Sequence, residues 1–110
     1  MTAITVLVDN LLDGEIVDPP DVARVVGTTA RSVTRWSEGV SPRRANEERL
    51  LELKAVVDLL RQVLRNEPAR LWIRSPNPEL AYEKPLDLVR RGEYRRVIGA
   101  VLALAEGVTT

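Results

Sequence analysis

The chain contains no cysteine and no histidine. Disulfides, thiol catalysis, imidazole acid–base chemistry and zinc sites built on Cys or His are therefore excluded. A chain without cysteine fits the cytoplasm. Neither common glycine-rich phosphate loop occurs, so no cofactor is expected. Glu47, Glu48 and Glu52 lie close together, but carboxylates without a second motif make a solvated face. The chain does not read as an enzyme. The longest apolar run, Val97–Ala105, falls far short of the roughly 20 residues that cross a bilayer. Met1–Asn10 has no basic region of the kind that opens a signal peptide. No membrane association is expected.

Net charge is also missing: 16 basic residues balance 16 acidic ones. The distribution is uneven, however. Asp9, Asp13, Glu15, Asp18 and Asp21 precede any Lys or Arg. The segment 22–44 then carries Arg24, Arg31, Arg35, Arg43 and Arg44 against Glu38 alone. A local basic patch can bind phosphate even when the whole chain is neutral.

The residues present suffice for a packed domain. The chain has 110 residues, 45% of them hydrophobic, which fits one domain or two small halves sharing a core. Apolar residues recur at helical spacing throughout, so the fold class is all-α. Ile4, Leu7, Val8, Leu11 and Leu12 predict a helix over Ala3–Leu12. Asp18-Pro19-Pro20-Asp21 predicts a capped helix start, running to Val26 and turning at Gly27. Thr28 is expected to cap a helix over Thr29–Glu38. A long helix is expected over Asn46–Arg65, with two adjacent apolar stripes: Leu50, Leu53, Val57, Leu60, Leu64, and Val56, Leu59, Val63. So wide an apolar surface suggests two partners for this helix, one of them a second copy. Shorter helices are expected over Pro68–Arg74, Pro85–Arg91 and Glu93–Ala105, the last closed by Gly107. The expected organisation is 1–45 as a helix-turn-helix region, 46–66 as a connecting and dimerisation helix, and 67–110 as a C-terminal helical domain.

Residues 21–36 have the spacing of a helix-turn-helix. Ala23 is small where the second helix crosses, Gly27 makes the turn, and Val22, Val26, Val33 and Trp36 face inward. The second helix of such a motif lies in the major groove. Thr29, Arg31, Ser32 and Arg35, with Arg43 and Arg44 beyond, are the candidate DNA contacts. The same residues also suit a scaffold whose arginines merely solvate a surface.

The C-terminal half carries Leu71-Trp72-Ile73-Arg74-Ser75-Pro76-Asn77-Pro78-Glu79-Leu80, then Lys84-Pro85-Leu86-Asp87-Leu88-Val89, then Gly92-Glu93-Tyr94. This combination resembles the toxin-binding domain of Xre/MbcA/ParS-like antitoxins. Members often have a glycine between the proline turn and the Pro-Leu-Asp-Leu segment; here that loop is Ala81-Tyr82-Glu83-Lys84. The resemblance implies a RES-domain toxin as partner, which splits NAD at the nicotinamide bond. It implies obstruction of the toxin's active site, pairing of antitoxin copies into a homodimer within a larger complex, and repression of the operon through operator DNA. The residues expected at the toxin are Trp72, Arg74, Ser75, Pro76, Asn77, Pro78, Tyr82, Lys84 and Tyr94, with the tail Val108, Thr109 and Thr110. Trp72 suits core or interface equally, Tyr94 suits the core, and Tyr82, in a loop, suits an interface. The tail carboxylate is expected near the entrance to the toxin's NAD site. The competing reading is a stand-alone helix-turn-helix regulator.

Overall fold

The structure, a computed structural model, describes the backbone of residues 3–109 and the side chains of residues 3–107. The elements run α1 (Ala3–Leu12), α2 (Pro19–Val26), α3 (Ala30–Ser37), α4 (Arg44–Arg61), α5 (Asn66–Arg74), α6 (Pro85–Arg90) and α7 (Tyr94–Thr109). Short 3-10 turns lie at Asp13–Glu15 and Pro78–Leu80. The described residues form no strand; one isolated bridge joins Asn77 and Glu83. The fold is all-α.

Local chemistry sets several boundaries. Asp18 and Asp21 form a reciprocal capping box at the start of α2, and Pro19 and Pro20 occupy its first turn. Gly27 closes α2 in the left-handed region at φ 87°. Thr29, not Thr28, caps α3, because its hydroxyl reaches the Ser32 N–H at 3.1 Å. Tertiary packing shifts other limits. The long helix starts at Arg44 and stops at Arg61, earlier than the apolar stripe suggests. Gly107 does not end the last helix, which continues to Thr109. A helical glycine costs only about 1 kcal/mol.

One hydrophobic core joins both halves of the molecule. Val8, Leu11, Val22, Val33 and Trp36 pack with Leu50, Leu53, Val57 and Leu60 of α4, and these with Ile73, Leu88, Val97 and Val101. Both stripes of α4 are used within the chain. Val56 is fully buried, and Leu59 and Val63 pack against the core. A seam presenting Val56 to a second copy is therefore ruled out. On α7, Val97, Ala100 and Val101 are buried, with Tyr94 and Ile98 packed against the core, while Leu102 is half exposed.

Three arginines fasten α4 and α5 to the chain's beginning. Arg61 donates to the carbonyls of Asn10, Leu11 and Asp13 at 2.8, 3.3 and 2.6 Å. It thereby serves carbonyls at the end of α1 that lack helical partners. Arg70 donates to the Glu15 carbonyl at 2.8 Å and pairs with Asp18 at 3.3 Å. Arg74 donates to the Ile16 carbonyl at 2.8 Å and pairs with Asp21 and Asp18 of the α2 cap. Gly14 is needed at this junction: at φ 75°, an added Cβ would lie 2.6 Å from the Asn66 side-chain nitrogen.

Candidate functional site

Two surfaces stand out, a groove between α5 and α7 and the outer face of α3. The groove begins with the proline loop. Pro76 forces Ser75 into extended backbone, φ −102° and ψ 146°, which ends α5. The Ser75 hydroxyl then donates to the Leu71 carbonyl at 2.6 Å. Asn77 organises the rest of the loop. Its Oδ1 accepts from the Glu79 N–H at 2.9 Å, opening the 3-10 turn. Its N–H donates to the Glu83 carbonyl at 3.1 Å, and its own carbonyl accepts from Leu80 and Tyr82 at 2.9 and 2.8 Å. Leu80 plugs the loop into the core. The loop is thus shaped before anything binds.

Across from it lies α7, with small residues facing the loop. The groove measures about 620 Å³ and is lined by Trp72, Ser75, Pro76, Asn77, Pro78 and Glu79 on one side. Ala100, Ala103, Leu104 and Gly107 line the other. Five expected interface residues, Trp72, Ser75, Pro76, Asn77 and Pro78, are therefore brought together. The others lie apart. Arg74 is taken up by the α2 cap, and Tyr94 packs half-buried against the core. Lys84 is exposed at the start of α6. Tyr82 is 73% exposed beside the loop. Thr110 and the side chains of Val108 and Thr109 lie outside the described residues.

The loop also carries backbone strain. Ala81 and Tyr82 sit at φ 54° and 64°, where side chains cost about 1–2 kcal/mol each. Glycine, which meets no such cost, occupies neither position. Beyond the loop, Arg91 bridges Glu83 and Glu93 at 2.8 and 3.0 Å. Hydrogen bonds to both carboxylates raise the Arg91 pKa, and those from Arg91 and Arg96 hold Glu93 below the usual carboxylate value.

The second surface is the helix-turn-helix. The α2–α3 turn is closed by Gly27 and Thr28 N–H groups donating to the Ala23 carbonyl at 2.8 and 2.9 Å. Val33 and Trp36 are buried, leaving Arg31, Thr34, Arg35 and Glu38 on the outer face. Thr29 and Ser32 bond to each other at the cap, at 3.1 Å. Arg43 and Arg44 are exposed where α4 begins. Among the described residues, Arg31, Arg35, Arg43 and Arg44 have no acidic partner, whereas Arg24 pairs with Asp87 at 3.1 Å. No group of three metal-ligating side chains gathers among the described residues. No helix among them is long and apolar enough to cross a membrane.

Sequence reasoning missed Glu79, Leu104 and Gly107 as groove residues. The small side chains of Gly99, Ala100 and Ala103, which permit close approach to α7, were the available signal. Comparison with known proteins bears on the same region. The family described as the antitoxin Xre/MbcA/ParS C-terminal toxin-binding domain matches residues 53–107, which hold the whole groove. The mycobacterial cidal antitoxin MbcA of Mycobacterium tuberculosis is 48% identical over 80% of this chain and 79% of its own length.

This chain belongs to the Xre/MbcA/ParS antitoxin family.

It is an antitoxin of a toxin–antitoxin system. A probable cidal antitoxin of M. tuberculosis is more distant, at 31% identity over 79% of this chain and 75% of its own. In three dimensions, a chain from the crystal structure of the M. tuberculosis MbcT–MbcA toxin–antitoxin complex superposes with a TM-score of 0.87. That match covers 98% of both chains at 40% identity. The antitoxin fold thus extends through the helix-turn-helix, which the family match itself does not reach.

Proposed function

We propose that this antitoxin binds a RES-domain, NAD-degrading toxin through the groove face of residues 67–110 and blocks access to the toxin's active site. The observation that carries this is the preshaped groove between the Ser75–Pro78 loop and α7. Two prolines and a hydrogen-bonded asparagine fix the loop, so little ordering entropy is lost on docking. Trp72 stands half-buried at the groove, and Tyr82 projects from the adjoining loop; such side chains anchor interfaces. Gly107 lines the groove, and the α7 backbone runs on from it through Val108 and Thr109. We assign to this tail the obstruction of the toxin's NAD site. A stand-alone regulator has no use for this groove.

Regions 1–45, 46–66 and 67–110 divide the work between DNA, pairing and toxin. Thr29, Arg31, Ser32, Arg35, Arg43 and Arg44 contact the operator in the cytoplasm, and the unpaired state of the four arginines supports this. Pairing through the long helix uses its outer side, where Leu51 is 55% exposed, because Val56 is sealed in the core.

The experiment is co-expression of the full chain with the RES-domain toxin encoded beside it, then co-purification and an NAD-hydrolysis assay. A stable complex with suppressed hydrolysis is expected. Deleting Val108–Thr110 should restore hydrolysis while the complex still forms. A toxin indifferent to the full chain rules out the proposal, and unchanged inhibition after deletion rules out the tail's part.

A further inference from the structure

The groove's own chemistry narrows which part of a toxin enters it, an inference that rests on the toxin-binding reading above. Its walls are mostly apolar, with Trp72, Pro76 and Leu104 facing each other across small residues of α7. The apolar surface continues past Ser75 to Leu71, one helical turn earlier and 65% exposed. Among the described residues, a single ionisable side chain, Glu79, lines this groove. Its carboxylate has no ion-pair or hydrogen-bond partner among the described residues.

A second polar group is also left open. Asn77 is only 9% exposed and lines the groove. Its Oδ1 is occupied by the Glu79 N–H, but its side-chain NH2 has no acceptor among the described residues. A largely shielded donor without a protein acceptor is costly once its remaining water is displaced, and an acceptor bound there removes that cost. An apolar trough with one open donor and one open carboxylate therefore specifies a complementary segment.

We propose that the groove takes a short apolar segment of the toxin that carries a Lys or Arg next to its anchoring side chain. The apolar side chain seats between Trp72 and Leu104, over Ala100 and Ala103. A backbone carbonyl of the segment accepts from the Asn77 NH2. The cation meets Glu79 at the rim, where it steers and orders the approach.

The test uses the full chain co-expressed with its toxin, with affinity measured by calorimetry and folding checked by thermal melting. Ala103 is exposed, so Ala103→Trp fills the groove without entering the core; a loss of roughly a hundredfold in affinity is expected. Asn77→Asp keeps the acceptor for the Glu79 N–H but replaces the donor with an anionic oxygen that repels the segment's carbonyl; a loss of about tenfold is expected. Glu79→Lys should lose about tenfold, and Glu79→Gln clearly less. Asp9→Lys, the same charge change on α1, should change little. No wild-type complex overturns the proposed function and this inference together. A wild-type complex that tolerates all three groove changes overturns this inference alone. Equal losses for Glu79→Lys and Glu79→Gln remove the cation. Variants that alter only self-association by sedimentation hand the groove to a second copy and overturn the proposal.

Discussion

The side chains of five arginines in the C-terminal half and its junction are bonded within the chain, whereas those of four around the helix-turn-helix are not. In the C-terminal half and its junction, Arg61, Arg70, Arg74, Arg91 and Arg96 each bond to a carbonyl or a carboxylate of the same chain. Around the helix-turn-helix, Arg31, Arg35, Arg43 and Arg44 have no acidic partner among the described residues. One set fastens the molecule to itself, and the other remains available. A zero net charge hides this partition, because Asp18, Asp21, Asp58, Glu83 and Glu93 are the carboxylates that pair with the fastening arginines. The comparison predicts a clean division of effects. Arginines of the first set should matter to stability, and those of the second to binding.

The largest expected effect breaks the binding side. Replacing Arg31 and Arg35 together with Ala should weaken binding to a fragment of the antitoxin's own promoter by about a hundredfold, and flatten the salt dependence by about two phosphates. Thermal stability should stay within about 0.5 kcal/mol of wild type, since both side chains are exposed and unpaired. Filter binding across a salt series checks the first part and melting the second. Unchanged affinity would falsify the use of α3 as a reading helix and leave it a scaffold.

The next effect tests the fastening side. Arg74 joins α5 to the α2 cap and to the Ile16 carbonyl, with 26% of its side chain exposed. Arg74→Ala should cost about 1–2 kcal/mol, reduced from the value of a fully buried pair by solvent screening. The loss should concentrate at the junction, so amide exchange should quicken first at the start of α2. Denaturant unfolding with hydrogen exchange measures both. If exchange quickens evenly across the chain, Arg74 does not hold the two halves together.

How far the sequence reveals this molecule depends on the range of the interaction. The span Ala3–Leu12, the Asp18 cap and the Gly27 turn follow from residues within one or two helical turns, and all three are readable in advance. The choice between Thr28 and Thr29 as cap turns on backbone direction at one residue, which spacing does not encode. Arg61 reaching carbonyls about 50 positions away is invisible to any local pattern. The groove falls between. Its proline loop is conspicuous in the sequence, but its other wall becomes known only once α7 is folded against α4, α6 and the Pro78–Leu80 turn. The wide apolar surface of α4 misleads for the same reason: the second stripe is covered by the chain's own helices.

A smaller effect sharpens the contrast between stability and function within the loop. Ala81→Gly relieves a left-handed φ of 54° but frees the unfolded chain, for a net gain of about 0.5 kcal/mol. Tyr82→Gly should gain a similar amount while weakening the toxin complex, because its ring is largely exposed and supports little of the fold. Melting and calorimetry on both variants separate strain from contact. A fall in melting temperature for Ala81→Gly means the turn is not strained.

The smallest effect concerns pH. Glu93 is held below the usual carboxylate value by hydrogen bonds from Arg91 and then Arg96. A folded-state pKa lower than the unfolded one stabilises the fold above the unfolded pKa, and that contribution disappears as pH falls through the folded value. The pair lies at the surface, so the change in stability should be slight. Titration is the sharper readout: carbon NMR of the Glu93 carboxyl should give a midpoint below that of a free glutamate. Arg91→Gln removes the leading donor, and the midpoint should move upward toward the ordinary value while the Arg96 contact at 3.1 Å keeps it from returning fully. An unmoved midpoint would assign the shift to Arg96 alone. Arg91 would then hold Glu93 less firmly than its contacts with Glu83 and Glu93 require of a fastening arginine.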